Sequence, residues 1–222
     1  MRALVLPSPF LPDLAYEPWV AALGRAGLDA VLAPVPSPPD ARQLVELWRG
    51  PADTDTVLLA HSNAGYLAPI VSEACGGAAI VFVDAALPSP GMTTRLAPAR
   101  FRDFLAGIAD EHGVLPPWTR WWPRADYDAA LPGDWFDLVD VAAPRVPLAY
   151  VDTEVDLPTS WHRGRCAYLA FGDTYADEWD RAGQAGWDRR RLDGGHLHWL
   201  VEPELTAGVT AELAVAVRER RP

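Results

Sequence analysis

Apolar and polar positions along this chain fall into two kinds of run that take turns. Ala3–Leu6, Asp29–Val35, Thr56–Ala60, Ala79–Val83, Cys166–Phe171 and Arg189–Leu192 are short and have strand character. Tyr16–Ala26, Ala41–Arg49, Pro69–Ala74, Asp177–Gly186 and Glu204–Arg218 carry their apolar residues at helical spacing. Pro7 and Pro9, Gly27 and the proline-rich 36–39 stretch punctuate the first half. Strands alternating with helices predict an α/β fold, a mainly parallel central sheet flanked by helices.

The alternation lapses once. From about Pro88 to Pro158, prolines, tryptophans and acids dominate, with one plausible helix at Phe101–Glu111. No repeat and no low-complexity linker sets this stretch apart. It reads as a cap inserted into a single domain spanning residues 1–222.

The stretch Thr56-Val57-Leu58-Leu59-Ala60-His61-Ser62-Asn63-Ala64-Gly65 holds the most specific local signal. A β-branched and aliphatic run ends in a tight turn around serine, and the apolar Tyr66–Val71 follows. Small residues two before and two after the serine let strand and helix pass closely, while the turn lifts its hydroxyl off the sheet edge. The placement between a strand and a helix carries more weight than the five-residue match itself.

A serine hydroxyl needs a base, and the base needs an orienting acid. Of the five histidines, His196 stands out, in the glycine loop Asp193-Gly194-Gly195-His196 between the last strand and the last helix. His198 is the alternative. His112 and His162 lie in polar surroundings, and strand alternation turns His61 away from the serine toward a packing role. For the acid, Asp173 after the penultimate strand is favoured, with Asp84 after the Ala79–Val83 strand as the second candidate. Two N–H groups should receive the oxyanion. Asn63 supplies one from the turn. The other must come from the loop after the first strand, where Pro7 and Pro9 have none; of Ser8, Phe10 and Leu11, Phe10 is favoured. In the inserted stretch Trp118, Trp121, Trp122 and Trp135 are candidate walls of an apolar pocket. Arg120 and Arg124 stand among them.

Composition narrows the chemistry. Half the residues are hydrophobic and the formal net charge is −11, which argues against nucleic acid and anionic membranes as partners. No apolar run approaches the roughly 20 residues needed to span a bilayer. The sequence contains no lysine, which removes Schiff-base chemistry and the lysine-dependent phosphate loop. Cys75 and Cys166 offer neither a disulfide framework nor a metal spacing. The opening Met1–Pro7 reaches proline before a secretory apolar core could form. A cytoplasmic protein acting on a small molecule without metal or cofactor is the expectation.

Taken together, these residues resemble the α/β-hydrolase superfamily, in its esterase and hydroxynitrile-lyase branch. The serine turn looks like the nucleophile elbow, with Ala60 and Ala64 where glycine is commoner. Gly194-Gly195-His196-Leu197-His198-Trp199-Leu200-Val201-Glu202-Pro203-Glu204 resembles the histidine loop and the start of the last helix. Ile80-Val81-Phe82-Val83-Asp84-Ala85-Ala86-Leu87-Pro88 is similar to the strand leading into the cap. Two places depart from the pattern: Pro7-Ser8-Pro9 replaces the usual His-Gly of the oxyanion loop, and Tyr175 occupies the Gly-x-x-Asp slot. The resemblance implies a serine hydrolase of the esterase, thioesterase or lactonase type, using Ser62, His196 and Asp173. A non-hydrolytic step on the same fold, such as cyclisation, epimerisation or elimination, is the alternative.

Overall fold

A computed structural model describes residues 1–220. The elements in chain order are β1 (Arg2–Leu6), α1 (Glu17–Arg25), β2 (Asp29–Leu32), α2 (Ala41–Arg49), β3 (Val57–Ser62), α3 (Ala68–Ala74) and β4 (Ala79–Ala85). Within the inserted stretch come β5 (Thr93–Arg95), α4 (Ala99–Ile108), α5 (Trp135–Ala142), α6 (Leu148–Asp152) and β6 (Glu154–Asp156). Then follow β7 (Cys166–Phe171), α7 (Ala176–Gln184), β8 (Asp188–Leu192) and α8 (Pro203–Glu219).

Six strands form one parallel sheet in the order β2-β1-β3-β4-β7-β8. The central strands β3, β4 and β7 are buried along their whole length, as expected of a sheet covered on both faces. The edge strand β8, Asp-Arg-Arg-Arg-Leu, is polar and partly exposed, which protects the edge from pairing with another chain. Helices α1 and α8 pack against each other, and α2 packs against α3. Asp40 caps α2, its carboxylate accepting from the Gln43 N–H at 2.9 Å.

The inserted stretch is more ordered than its composition suggests. β5 and β6 pair antiparallel at its neck, Thr93 opposite Asp156 and Arg95 opposite Glu154. Between them α4, α5, α6 and two 3₁₀ turns at Trp118–Arg120 and Arg124–Tyr127 lie over the carboxyl ends of the sheet strands. Short helices broken by proline leave little periodicity to read, which is why only α4 was foreseen there. Asn63 ties this stretch to the turn at Ser62. Its amide donates to the Leu96 carbonyl at 2.6 Å, and its oxygen accepts from the Tyr150 hydroxyl at 2.8 Å.

Candidate active site

Strand β3 delivers Ser62 at its last residue, with φ 57 and ψ −125. A non-glycine residue at positive φ is strained, and persists where surrounding structure holds it. Here the Ser62 carbonyl accepts from the Ala86 N–H at 3.1 Å. Gly65 is what allows that approach, because a Cβ there would collide with the Ala86 carbonyl oxygen.

The neighbouring strand β4 brings a carboxylate, Asp84, to His196, and it does so through an irregularity. His61 pairs with Val83 and Ser62 with Ala85, so Asp84 is the extra residue of a bulge. Its φ of 43 re-aims the side chain, as bulges near active sites do. The Tyr168 hydroxyl fastens the next residue, accepting from the Ala85 N–H at 3.1 Å and donating to the Ala85 carbonyl at 2.6 Å. The Asp84 carboxylate is fully buried. One oxygen accepts from the Phe171 N–H at 2.9 Å, and the other sits 2.6 Å from His196 Nδ1. With Nδ1–H donating to Asp84, His196 Nε2 is left as an acceptor.

The expectation of Asp173 as the orienting acid is therefore corrected. Asp173 follows β7 on an exposed turn and pairs with Arg191 of β8. Its side chain is 85% exposed, whereas that of Asp84 is 0%. Asp84, the second candidate, takes the place beside His196. A pattern-based reading misses this because the bulge breaks the strand alternation from which side-chain directions are inferred. His198 is buried and pairs with Glu202 at 3.1 Å; neither His112 nor His162 enters the cavity.

Phe10 and Asn63 both line the cavity above Ser62. In the oxyanion loop the Ser8 N–H donates to the Tyr16 hydroxyl at 2.7 Å, and the Leu11 N–H to the Ser8 carbonyl at 3.1 Å. Among the described residues the Phe10 N–H donates no hydrogen bond within the protein. Asn63 begins a 3₁₀ turn whose first N–H groups have no partner within the turn.

His61 does more than pack. Its Nδ1 lies 2.8 Å from the Tyr16 hydroxyl and its Nε2 3.2 Å from the His196 carbonyl. Burial, then the nearby His196, holds its pKa well below the usual 6.5, so the ring is neutral. A carbonyl can only accept, so His61 Nε2 carries the proton and Nδ1 accepts from Tyr16.

The cavity encloses about 590 Å³. Trp118, Trp121 and Trp122 line it as expected, together with Phe101 and Tyr127. Trp121 is buried and meets Phe10 edge to face at 4.9 Å, while Trp122 is 40% exposed at the rim. Trp135 is a correction: it starts α5 and packs against the core instead of lining the cavity. Arg120 is held by Asp140 at 2.9 and 2.6 Å, and Arg124 by Asp128 at 2.7 Å, so neither faces the cavity. Tyr175 is the residue the sequence reading did not assign. Its hydroxyl stands 3.5 Å from Ser62 Oγ and its ring 5.8 Å from that of His196. Burial raises its pKa well above the usual 10.0. The one signal for it was its position in the slot where the resemblance implies an acid.

A six-stranded parallel sheet with a serine elbow after its third strand and a histidine loop after its last is the architecture of the α/β-hydrolases. The chain has the α/β-hydrolase fold, and comparison with solved structures bears this out. An extracellular α/β-hydrolase from a Paenibacillus species superposes with a TM-score of 0.75 at 15% identity, covering 99% of this chain and 100% of the other. A pyrethroid hydrolase from Sphingobium faniae JZ-2 gives 0.70 at 17% identity, covering 99% and 98%. A methylesterase from Arabidopsis gives 0.70 at 14% identity, covering 97% and 99%. No protein-family model and no curated protein matches the sequence. Among the described residues no helix is long and apolar enough to cross a membrane.

Proposed function

We propose that this protein is a serine hydrolase that cleaves an ester, thioester or lactone of a largely apolar small molecule. The observation that carries the reading is the 2.6 Å contact between His196 Nδ1 and the buried Asp84 carboxylate, in a cavity that also holds the strained Ser62. Ser62 Oγ attacks the substrate carbonyl and its proton passes to His196 Nε2. The N–H groups of Asn63 and Phe10 receive the oxyanion. Asp84 keeps the ring oriented and stabilises the imidazolium that forms. On collapse of the tetrahedral intermediate, His196 returns the proton to the leaving oxygen or sulfur, leaving an acyl group on Ser62. Water activated by the same Nε2 then releases the acid and restores the serine. Trp118 and Trp121 would hold the apolar part of the substrate. Cytoplasmic residence belongs to this reading, supported by two buried and unpaired cysteines, Cys75 and Cys166.

A fluorophosphonate probe should label the wild-type protein and fail on Ser62→Ala. Labelling that survives the substitution would remove Ser62 as nucleophile.

The Tyr175 hydroxyl at Ser62 favours a second reading, in which the site moves a proton on a biosynthetic intermediate without an acyl-enzyme. A covalent Ser62 adduct trapped from the natural substrate would exclude it.

A further inference from the structure

Glu178, in the first turn of α7, lines the same cavity as Ser62 and His196. No ion pair or side-chain donor among the described residues engages its carboxylate. Arg181, one turn further along α7, donates to the Leu87 and Pro88 carbonyls at 2.6 and 3.1 Å and acts on Glu178 only at a distance. The carboxylate therefore lines the cavity without a direct ion-pair partner, and burial, outweighing the more distant Arg181, raises its pKa above the usual 4.5. Two tyrosines of the cavity wall, Tyr66 and Tyr175, lie close enough to feel its charge.

The remainder of the lining strengthens the asymmetry. It contains a second carboxylate, Asp126, and no arginine, while the sequence has no lysine. A substrate with a carboxylate or phosphate near the reacting bond would meet unpaired negative charge there, at a cost that rises with burial. A cation would meet the opposite: a carboxylate without a direct ion-pair partner, in a cavity also lined by Tyr66 and Tyr175, whose rings can attract positive charge. The formal net charge of −11 draws cations toward the cavity as well.

We propose that Glu178, with Tyr66 and Tyr175, forms a cation subsite that selects substrates bearing an ammonium group. This inference rests on the hydrolase reading above and names its substrate class. The group is an amine or a quaternary nitrogen on the alcohol or acyl side of the ester, and the aromatic walls hold the rest of the molecule. An alternative account of Glu178 is that it only favours the positive N-terminal end of α7; that role would leave substrate preference untouched.

The test compares two esters of one shape, acetylcholine and 3,3-dimethylbutyl acetate, which differ in a quaternary nitrogen against a quaternary carbon. Wild-type protein should favour the cationic ester in kcat/KM by about 10-fold. Glu178→Gln should bring the ratio to within about 2-fold, and Glu178→Asp should restore part of it. A ratio near one in the wild type, or one that survives Glu178→Gln, overturns the subsite. Titration with phenyltrimethylammonium, read by tryptophan fluorescence, separates the two claims. Binding weakened by Glu178→Gln supports the subsite even if neither ester is cleaved and no fluorophosphonate labels Ser62, a result that would sink the hydrolase reading alone. Binding that Glu178→Gln leaves unchanged sinks the subsite whatever the esters do.

Discussion

Tyr16 and His61 share a 2.8 Å hydrogen bond where both side chains are fully buried, and that bond joins two loops of the site. On one side Tyr16 accepts from the Ser8 N–H of the loop after β1. On the other, His61 donates to the carbonyl of His196. Every donor and acceptor along this path is used in one sense only, so it fixes the direction of each proton as well as the spacing of the loops.

Tyr16→Phe breaks that path at its centre. It orphans a buried N–H at Ser8 and the acceptor at His61 Nδ1, each costing about 1–3 kcal/mol. The expected outcome is a lower urea midpoint. Because both loops are displaced, kcat for an activated ester should fall by about 10-fold. Unchanged kcat with lowered stability would show that the network supports the fold alone.

His61 makes stability depend on pH. Its folded pKa lies well below 6.5 because burial disfavours the cation, so below 6.5 the unfolded chain takes up a proton that the folded chain refuses. Its contribution is present above pH 6.5 and lost as pH falls, with a slope approaching about 1.4 kcal/mol per pH unit. Urea unfolding between pH 7.5 and about 5 should show this slope in the wild type and not in His61→Gln. Equal slopes would mean that another group takes up the proton.

The choice of acid is tested by two asparagine variants. Asp84→Asn should lower kcat on the order of 10⁴-fold by upsetting the tautomer of His196. Asp173→Asn removes only an exposed pair with Arg191, so activity should stay within about 2-fold and stability within about 1 kcal/mol. Reversed effects would return Asp173 to the triad.

Two tryptophans of the inserted stretch should separate. Trp121→Ala removes a buried ring that props Phe10 at 4.9 Å. It should raise KM for aryl esters and lower kcat, with a stability loss of about 3–5 kcal/mol. Trp135 lies outside the cavity, and Trp135→Ala should leave kcat/KM within about 2-fold. Equal kinetic losses in the two variants would contradict the observed lining.

Much of this architecture was legible along the chain. Five strands of the main sheet lie where apolar runs and proline or glycine breaks put them, the polar edge strand β8 falls between α7 and the glycine loop, and the serine turn and the glycine loop fall at strand ends. Ser62, His196, Asn63 and Phe10 line one cavity, and each sits at a fixed offset from such a landmark. Asp84 ranks second because its place beside His196 depends on a bulge, and β4 is buried on both faces, so no alternation marks the extra residue. Trp135 misled for a related reason: composition places tryptophans in the cap, while the turn each belongs to decides whether it faces the cavity or the core. His61 and Tyr16 are 45 residues apart, and no local pattern links them.

Sequence alone determined the order of the elements, the turn that exposes Ser62 and the loop that returns His196, because these depend on local backbone preference and hydrophobic period. Tertiary structure decided which carboxylate meets His196, which ring faces the cavity and that Tyr175 stands beside Ser62. Those outcomes rest on distances of a few ångströms between residues far apart in the chain, and only the packed sheet and cap set such distances.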